Sequence, residues 1–183
     1  MVMKIIAMVP ARMGSKRVKS KNLRLLDGKP LIEHVLDTLS KINIFDEIYV
    51  NSEDEVFSGI AEKYGISFYK RPNHLSSDEA TNDEFAYEFL NNIECDVLIQ
   101  VLPTSPFLTE KEIKGFVNKM VDNDLDTLVS VEHKQIACLY QGKPINFDNL
   151  KKNDPLSYSR FLEKFTLAKN KLTNNGVLKN VGQ

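Results

Sequence analysis

Residues 4–22 read KIIAMVPARMGSKRVKSKN, an apolar run that changes abruptly into a basic one. The apolar part, Lys4 to Val9, has the length and composition of a buried β-strand. A polar, basic segment ends this strand at once. In an open α/β sheet, ligands bind at the carboxyl ends of the strands, which is where the basic segment must emerge. These residues therefore predict both the first strand and the place of a binding site.

Beyond this segment, short runs rich in β-branched residues alternate with segments of helical period, as is typical of parallel strands joined by crossover helices. The expected strands are Lys4–Val9, Glu47–Asn51, Ile66–Tyr69, Asp96–Leu102 and Leu128–Val131. Helices are expected at 30–39, at 55–64 with Gly65 as the C-terminal cap, at 81–92, and after Thr109. Thr81 with Glu84, and Thr109 with Glu112, can each form a capping box. Right-handed crossovers would wind this order into a three-layer α/β/α sandwich with a mainly parallel sheet.

The length of 183 residues and the 42% of apolar residues predict one domain, 1–183. Its regular core spans residues 1–131. Residues 132–183 are expected to be irregular, with one helix candidate at Tyr158–Lys169 and no strand.

Composition argues against several classes of protein. A net charge of −1 does not fit a general polyanion binder or a polybasic membrane-surface protein. The two cysteines lack metal-site or disulfide spacing, and the three histidines have no mutual spacing that suggests a ligand set. No apolar run approaches the 18 residues of a membrane span, and the first run is too short for a signal peptide, so we expect a cytoplasmic protein.

The basic segment concentrates positive charge in one place. Seven basic residues and one acid lie between Arg12 and Lys29, whereas the whole chain carries −1. Gly14 permits close backbone approach, Ser15 offers a hydroxyl and an amide, and the cationic side chains can neutralise a triphosphate. The spacing fits neither a P-loop nor a dinucleotide fingerprint. A phosphate site and an ordinary solvated loop both remain open, while nucleic acid is disfavoured because no aromatic residue interleaves the charges.

Three ordered blocks of sequence resemble the acylneuraminate cytidylyltransferases, the family of the CMP-sialic acid synthetases. The blocks are VPARMGSKR with KN and LDGKPLI at 9–32, RPNHLSSDEAT at 71–81, and PTSPFLT at 103–109. The resemblance covers roughly residues 4–131. It implies a fold like that of the nucleotide-diphospho-sugar transferases, with residues 1–131 as a nucleotide-binding core.

The resemblance also implies roles for individual residues, with CTP as the nucleotide. Nucleotide-binding roles fall on Ala11, Arg12, Gly14, Ser15, Lys16, Lys21, Asn22, Arg71, Thr81 and Asn82. Arg12 and Lys21 would be catalytic, because nucleotidyl transfer accumulates negative charge on the α-phosphate and the departing pyrophosphate. Arg71 would face the cytosine or the ribose. For Thr81 and Asn82 the alternative is plain helix capping.

The third block implies an acceptor site. Thr104 and Ser105 would lie at the rim of the pocket, where two prolines stiffen the turn. Many relatives have a glutamine directly before this block that helps to bind the acceptor sugar, but Leu102 stands here. Gln100, two residues earlier and on the same face of the strand, either substitutes for that glutamine or is a hydrogen-bonded core amide.

The family usually continues through a dimerisation segment and returns to a last strand with an acidic motif that helps to hold the catalytic Mg²⁺. Gly142–Asp148 resembles the start of that segment, so a homodimer is implied, with 132–183 as the candidate dimerisation segment. No Asp or Glu follows Glu163. We therefore expect a relative shortened at the C-terminus. Mg²⁺ is implied as cofactor, but no metal ligand is assigned, although Asp78 or Asp96 could be recruited.

The leading hypothesis is a cytidylyltransferase that transfers CMP from CTP to a 2-keto acid sugar, such as a sialic or related nonulosonic acid, and releases pyrophosphate. One alternative is a catalytically impaired relative that still binds CTP. Another is a sugar nucleotidyltransferase that uses a different nucleoside triphosphate.

Overall fold

Strands and helices alternate from residue 5 to residue 122 in the computed structural model, which describes residues 3–15, 18–131, 138–141 and 143–145. The strands are β1 Ile5–Pro10, β2 Leu25–Leu26, β3 Lys29–Pro30, β4 Glu47–Ser52, β5 Ser67–Lys70, β6 Val97–Gln100, β7 Leu139–Tyr140 and β8 Lys143–Pro144. The helices are α1 Leu31–Leu39, α2 Val56–Lys63, α3 Asn82–Asn92 and α4 Glu110–Asp122, with short 3-10 turns at Lys21–Leu23 and Asn73–Ser76. The chain divides into two compact units, Met1–Leu128 and Val129–Gln183.

The main sheet is parallel throughout, and β1 lies inside it. Its strand order is β5-β4-β1-β6. Ile6 pairs with Glu47 of β4 on one side and with Leu98 of β6 on the other. Side chains of β1 alternate between two apolar clusters, because neighbouring residues of a strand point to opposite faces. The sheet is therefore covered on both faces, as a parallel sheet requires.

The two faces have different partners. Ala7 and Val9 pack with the apolar stripes of α1, α2 and α4, which include Leu36, Phe57 and Val117. On the other face Ile6 and Met8 pack with Phe89 of α3. Rings of Tyr49 and Tyr69 meet Phe89 edge to face, with centroids 5.3 and 4.9 Å away. These layers confirm the predicted α/β/α sandwich.

Both predicted capping boxes are present. The hydroxyl of Thr81 accepts from the N–H of Glu84, whose carboxylate accepts from the N–H of Thr81 at 2.7 Å. Thr109 and Glu112 repeat this arrangement at the start of α4. Gly65, the predicted cap of α2, has a φ of +65°, in the left-handed region that glycine adopts without strain.

A tight hairpin joins β2 to β3 before α1 begins. Asp27 and Gly28 form its turn with φ values of 50° and 73°, as a two-residue turn of the primed type requires. The hairpin brings the chain from the basic segment back to the first residue of α1, where the N–H of Leu31 donates to the carbonyl of Arg24 at 2.8 Å.

Two predictions near the C-terminal end are wrong. Leu128–Val131 forms no strand, and Val129 and Val131 are 69% and 85% exposed. None of the described strands pairs with this segment, and strand propensity without such packing is weak. Conversely, no strand was expected after residue 131, yet β7 and β8 pair antiparallel around Gln141, whose φ is 49°. Two-residue strands are too short to give an alternating pattern. The helix candidate at Tyr158–Lys169 lies outside the described residues.

Candidate active site

A cavity of about 300 Å³ opens at the carboxyl edge of the main sheet. Segments that leave β1, β5 and β6 surround it, as expected for a ligand site in an open α/β sheet. The residues that line it are Pro10, Ala11, Arg12, Ser15, Lys21, Asn22, Arg71, Phe85, Leu102, Pro103 and Thr104. Residues from all three blocks of the sequence pattern therefore meet in one place.

Side chains from elsewhere in the chain hold the backbone of the basic segment. The carbonyl of Ala11 accepts from the guanidinium of Arg71. The carbonyl of Arg12 accepts from the amide of Asn22 at 3.4 Å, and the N–H of Met13 donates to the carboxylate of Glu53 at 2.8 Å. Three consecutive residues are thus fixed through their main-chain atoms.

Arg12 lines the cavity and is also anchored to the segment that follows β5. Its Nη1 donates to the carbonyls of Ser76 and Ser77 at 3.3 and 2.9 Å, and its Nη2 lies 3.1 Å from Oδ1 of Asp78. A planar guanidinium can serve several acceptors at once, which an ammonium cannot do in the same geometry. The contact joins the first sequence block to the second.

Lys21 and Asn22 enter the cavity through a short 3-10 turn. Ser20, in the left-handed region with a φ of 49°, turns the chain into it. Asn22 is buried, and Lys21 is partly buried at the cavity wall. The turn therefore brings Lys21 and Asn22 to the cavity that Arg12 also lines. Their roles in nucleotide binding stay predictions.

Arg71 is the most buried cation of the site. It is 3% exposed, and its Nη2 also donates to the carbonyl of Asn51 at 3.1 Å. Its guanidinium carbon lies 4.7 Å from the centroid of the Phe85 ring, within range of a cation–π interaction. Burial lowers the pKa of Arg71, a shift that Glu53 opposes and Arg12 reinforces. Its Nε has no hydrogen-bond partner among the described residues.

Other residues with predicted nucleotide roles lie elsewhere. Thr81 and Asn82 are exposed at the start of α3 and do not line the cavity, and the hydroxyl of Thr81 serves the capping box. Gly14 is exposed, with open space where a side chain would project. Lys16 lies outside the described residues. The roles assigned to these four residues stay predictions.

Some residues predicted for the acceptor site line the cavity and others do not. Thr104 lines the cavity, whereas Ser105 does not and its N–H donates to the carbonyl of Leu102 at 3.0 Å. Gln100, at the end of β6, is partly buried and pairs with Met8 in register, outside the cavity lining. Leu102 lines the cavity and is 50% exposed. Leu102, rather than Gln100, therefore borders the cavity.

Two residues important to the site were not singled out from the sequence. Glu53 follows β4 directly, at the same edge of the sheet as the basic segment. Its position just after a strand is the feature of the sequence that could have indicated a place near the site. Phe85 lies within the helix expected at 81–92 and was given no role in the site, but it lines the cavity. Its contact with Arg71 depends on the tertiary fold, which helical spacing does not reveal.

No cluster of three or more His, Cys, Asp or Glu side chains suited to a metal ion occurs within the described part of the chain. The two carboxylates beside the cavity are already engaged, Asp78 with Arg12 and Glu53 with Met13 and Arg71. Asp96 accepts from the N–H of Lys4 at 2.7 Å and immediately precedes β6, at the opposite end of the sheet from the cavity. These residues do not fit the Mg²⁺ site implied by the resemblance.

The fold and the site define an α/β protein with a cation-lined cavity at the carboxyl edge of a parallel sheet, and comparison with known proteins defines its family. The family model described as Cytidylyltransferase matches residues 6–169. The chain therefore belongs to the cytidylyltransferase family, which confirms the resemblance.

Individual relatives support this assignment. The chain is 37% identical over 133 residues to the N-acylneuraminate cytidylyltransferase of Streptococcus agalactiae serotype V, a match that covers 70% of this chain and 32% of that protein. It is 35% identical to the pseudaminic acid cytidylyltransferase of Campylobacter jejuni, covering 66% of this chain and 55% of that protein. The matched segment thus spans about a third to about half of these curated relatives.

A solved structure supports the fold. The CMP:2-keto-3-deoxy-manno-octonic acid synthetase complexed with CTP superposes with a TM-score of 0.58 at 23% identity, covering 66% of this chain and 48% of that one.

Among the described residues, no helix combines the length and the apolar character needed to cross a bilayer.

Proposed function

We propose that this chain binds CTP in the cavity at the carboxyl edge of the sheet and transfers CMP to a 2-keto acid sugar, releasing pyrophosphate. The observation that carries the proposal is the meeting of Arg12, Ser15, Lys21 and Asn22 in one cavity. Cations, a hydroxyl and an amide together suit a triphosphate. The relatives, which include acylneuraminate and pseudaminic acid cytidylyltransferases, suggest the substrate class.

In the proposed reaction the anomeric hydroxyl of the sugar attacks the α-phosphorus of CTP. A new oxygen–phosphorus bond forms to the sugar, and the bond between the α-phosphorus and the bridging oxygen breaks, so that pyrophosphate leaves and the hydroxyl proton is lost to solvent. Negative charge builds up on the phosphates as this happens. Lys21 and Arg12 would stabilise that charge, because cations placed in advance cost no reorganisation during the reaction.

The apolar part of the cavity has a separate role in this proposal. Phe85, Leu102 and Pro103 line the same cavity as the cations. Such surfaces exclude water and provide contact area for a base or a sugar ring, while the polar groups fix its orientation. Arg71, beneath Phe85, would then face the base or the ribose. Mg²⁺ as cofactor and a homodimer formed through residues 132–183 stay predictions.

The direct test is pyrophosphate release with CTP and a panel of 2-keto acid sugars, namely N-acetylneuraminic, pseudaminic and 3-deoxy-manno-octulosonic acids. We expect turnover with at least one of them, and a loss of about a hundredfold or more in Lys21→Ala, since such electrostatic groups typically contribute that much. Lys111→Ala, which removes an exposed lysine of α4, is the matched control. No turnover with any sugar at high protein concentration would contradict the transferase proposal.

A second candidate is a CTP-binding relative without turnover. The observation that favours it is that the described residues contain no group of carboxylates suited to a catalytic cation. It predicts CTP binding that Lys21→Ala weakens, together with no pyrophosphate release. Stronger binding of UTP or ATP than of CTP would instead favour a sugar nucleotidyltransferase with a different nucleotide.

A further inference from the structure

Glu53 contacts two of the groups that shape the cavity, although it does not line the cavity itself. Its Oε1 accepts from the N–H of Met13 at 2.8 Å. Its Oε2 accepts from the hydroxyl of Ser52 at 3.3 Å and lies 3.8 Å from Nη2 of Arg71. The side chain is 17% exposed, so solvent screens this pair only weakly.

Glu53 and Arg71 hold the backbone on the two sides of Arg12. Arg71 donates to the carbonyl of Ala11, and Glu53 accepts from the N–H of Met13. Beyond Met13, the N–H of Ser15 donates to the Met13 carbonyl at 2.8 Å, so the fixed geometry continues to a residue of the cavity wall. Among the contacts that hold residues 11–15, two thus come from one pair of opposite charges anchored after β4 and β5.

Such an arrangement lowers the cost of binding a polyanion. A loop that is already ordered loses less conformational entropy when a ligand binds, so more of the interaction energy appears as affinity. The carboxylate also offsets the buried charge of Arg71, which otherwise adds to the repulsion among the cations of the site. Glu53 therefore acts indirectly in both cases, through the ordered backbone of the loop and through the charge of Arg71.

We propose that Glu53 is a positioning residue for nucleotide binding, which fixes the segment Ala11–Ser15 and Arg71 in the geometry that receives the triphosphate. The inference rests on the proposed function, since the ligand it concerns is CTP. Glu53 itself makes no contact with the nucleotide.

The test compares Glu53→Gln and Glu53→Ala with the unaltered chain by calorimetric titration with CTP and with inorganic triphosphate. Glu53→Ala removes both contacts, and we expect its Kd for either ligand to rise about tenfold, as for the loss of one charge-assisted hydrogen bond. Glu53→Gln keeps an acceptor for Met13 but loses the charge beside Arg71. We expect its affinity to fall between those of the other two proteins. Glu55→Gln is the matched control, because the Glu55 carboxylate is exposed and pairs with Lys70 at 2.8 Å.

A purely structural role would give a different result. It would lower the melting temperature and the active fraction but leave the KM for CTP unchanged in the protein that remains folded, whereas a positioning role raises that KM. Equal CTP affinity in the unaltered chain, Glu53→Gln and Glu55→Gln would overturn the inference, even if Glu53→Ala did not fold. If the unaltered chain bound neither ligand, the proposed function would fail first, and the inference with it.

Discussion

Arg12, which lines the cavity, forms an ion pair with Asp78, with Nη2 of the guanidinium 3.1 Å from Oδ1 of the carboxylate. The same guanidinium donates to the carbonyls of Ser76 and Ser77. One side chain of the basic segment therefore connects the segments that follow β1 and β5. Three oxygen acceptors fix the orientation of the Arg12 side chain, which also lines the cavity.

This geometry predicts that lysine cannot replace Arg12. Arg12→Ala should weaken CTP binding by about tenfold or more through the loss of a charged contact. Arg12→Lys should stay within about threefold of the alanine variant, because an ammonium cannot reach two carbonyls and a carboxylate in the geometry of a planar fork. Titration with CTP measures both. Binding by Arg12→Lys equal to that of the unaltered chain would show that charge alone matters at this position.

The paired capping boxes give a test of the role predicted for Thr81. Thr81→Ala and Thr109→Ala should each destabilise the protein by about 1 kcal/mol, the usual effect of losing an N-cap hydroxyl. Because Thr81 does not line the cavity, neither change should alter CTP affinity. Denaturant unfolding and CTP titration of the two variants provide the comparison. A loss of affinity confined to Thr81→Ala would place its hydroxyl at the nucleotide.

A buried carboxylate away from the site predicts a dependence of stability on pH. Burial raises the pKa of Glu33, but hydrogen bonds from Lys63 at 2.6 Å and Tyr64 at 2.7 Å outweigh it, so the pKa lies below the ordinary 4.5. A pKa that is lower in the folded state stabilises the fold above the unfolded pKa, and this stabilisation is lost as the pH falls through the folded pKa. It is therefore fully present at neutral pH.

Glu33→Gln should accordingly lower the free energy of unfolding at neutral pH by about 1–2 kcal/mol, since a charge-assisted hydrogen bond to a buried group is lost. The difference between the two proteins should start to shrink as the pH falls below 4.5, where the unfolded chain takes up the proton, and should be lost as the pH falls through the lower pKa of Glu33 in the folded protein. Urea unfolding at neutral pH and at steps below 4.5 measures it. Glu62→Gln, at an exposed position of α2, is the control. A constant difference at all pH values would show that Glu33 contributes only by packing.

The parts of the fold that the sequence predicted correctly depend on local rules. Local patterns of a few residues predict both capping boxes, the cap at Gly65 and the strand β1. Such patterns act through near neighbours in the sequence and do not depend on the rest of the fold. Leu128–Val131 shows the limit of such rules, since none of the described strands pairs with it and its strand composition alone does not form a strand. The hairpin at Asp27 and Gly28 was not predicted, although Asp-Gly is a local turn signal of the same kind.

For the site, the sequence identified the residues that border the cavity better than the residues that hold them. Arg12, Lys21, Asn22 and Arg71 were singled out from the sequence and all line the cavity, while their roles in binding stay predictions. The contact of Glu53 with Met13 joins residues 40 positions apart and appears only after the sheet has formed. Thr81 was ambiguous for a physical reason, because a helix start offers the same groups to a cap and to a ligand.

The central claim is that the segment between Pro10 and Asn22 receives a triphosphate at the carboxyl edge of the sheet. A crystal structure of the chain with bound CTP tests it most directly. We expect the phosphates within hydrogen-bonding distance of Arg12, Ser15 and Lys21, with the base or the ribose towards Arg71. A nucleotide bound elsewhere, or a cavity left empty at a CTP concentration that saturates the protein in solution, would contradict the account.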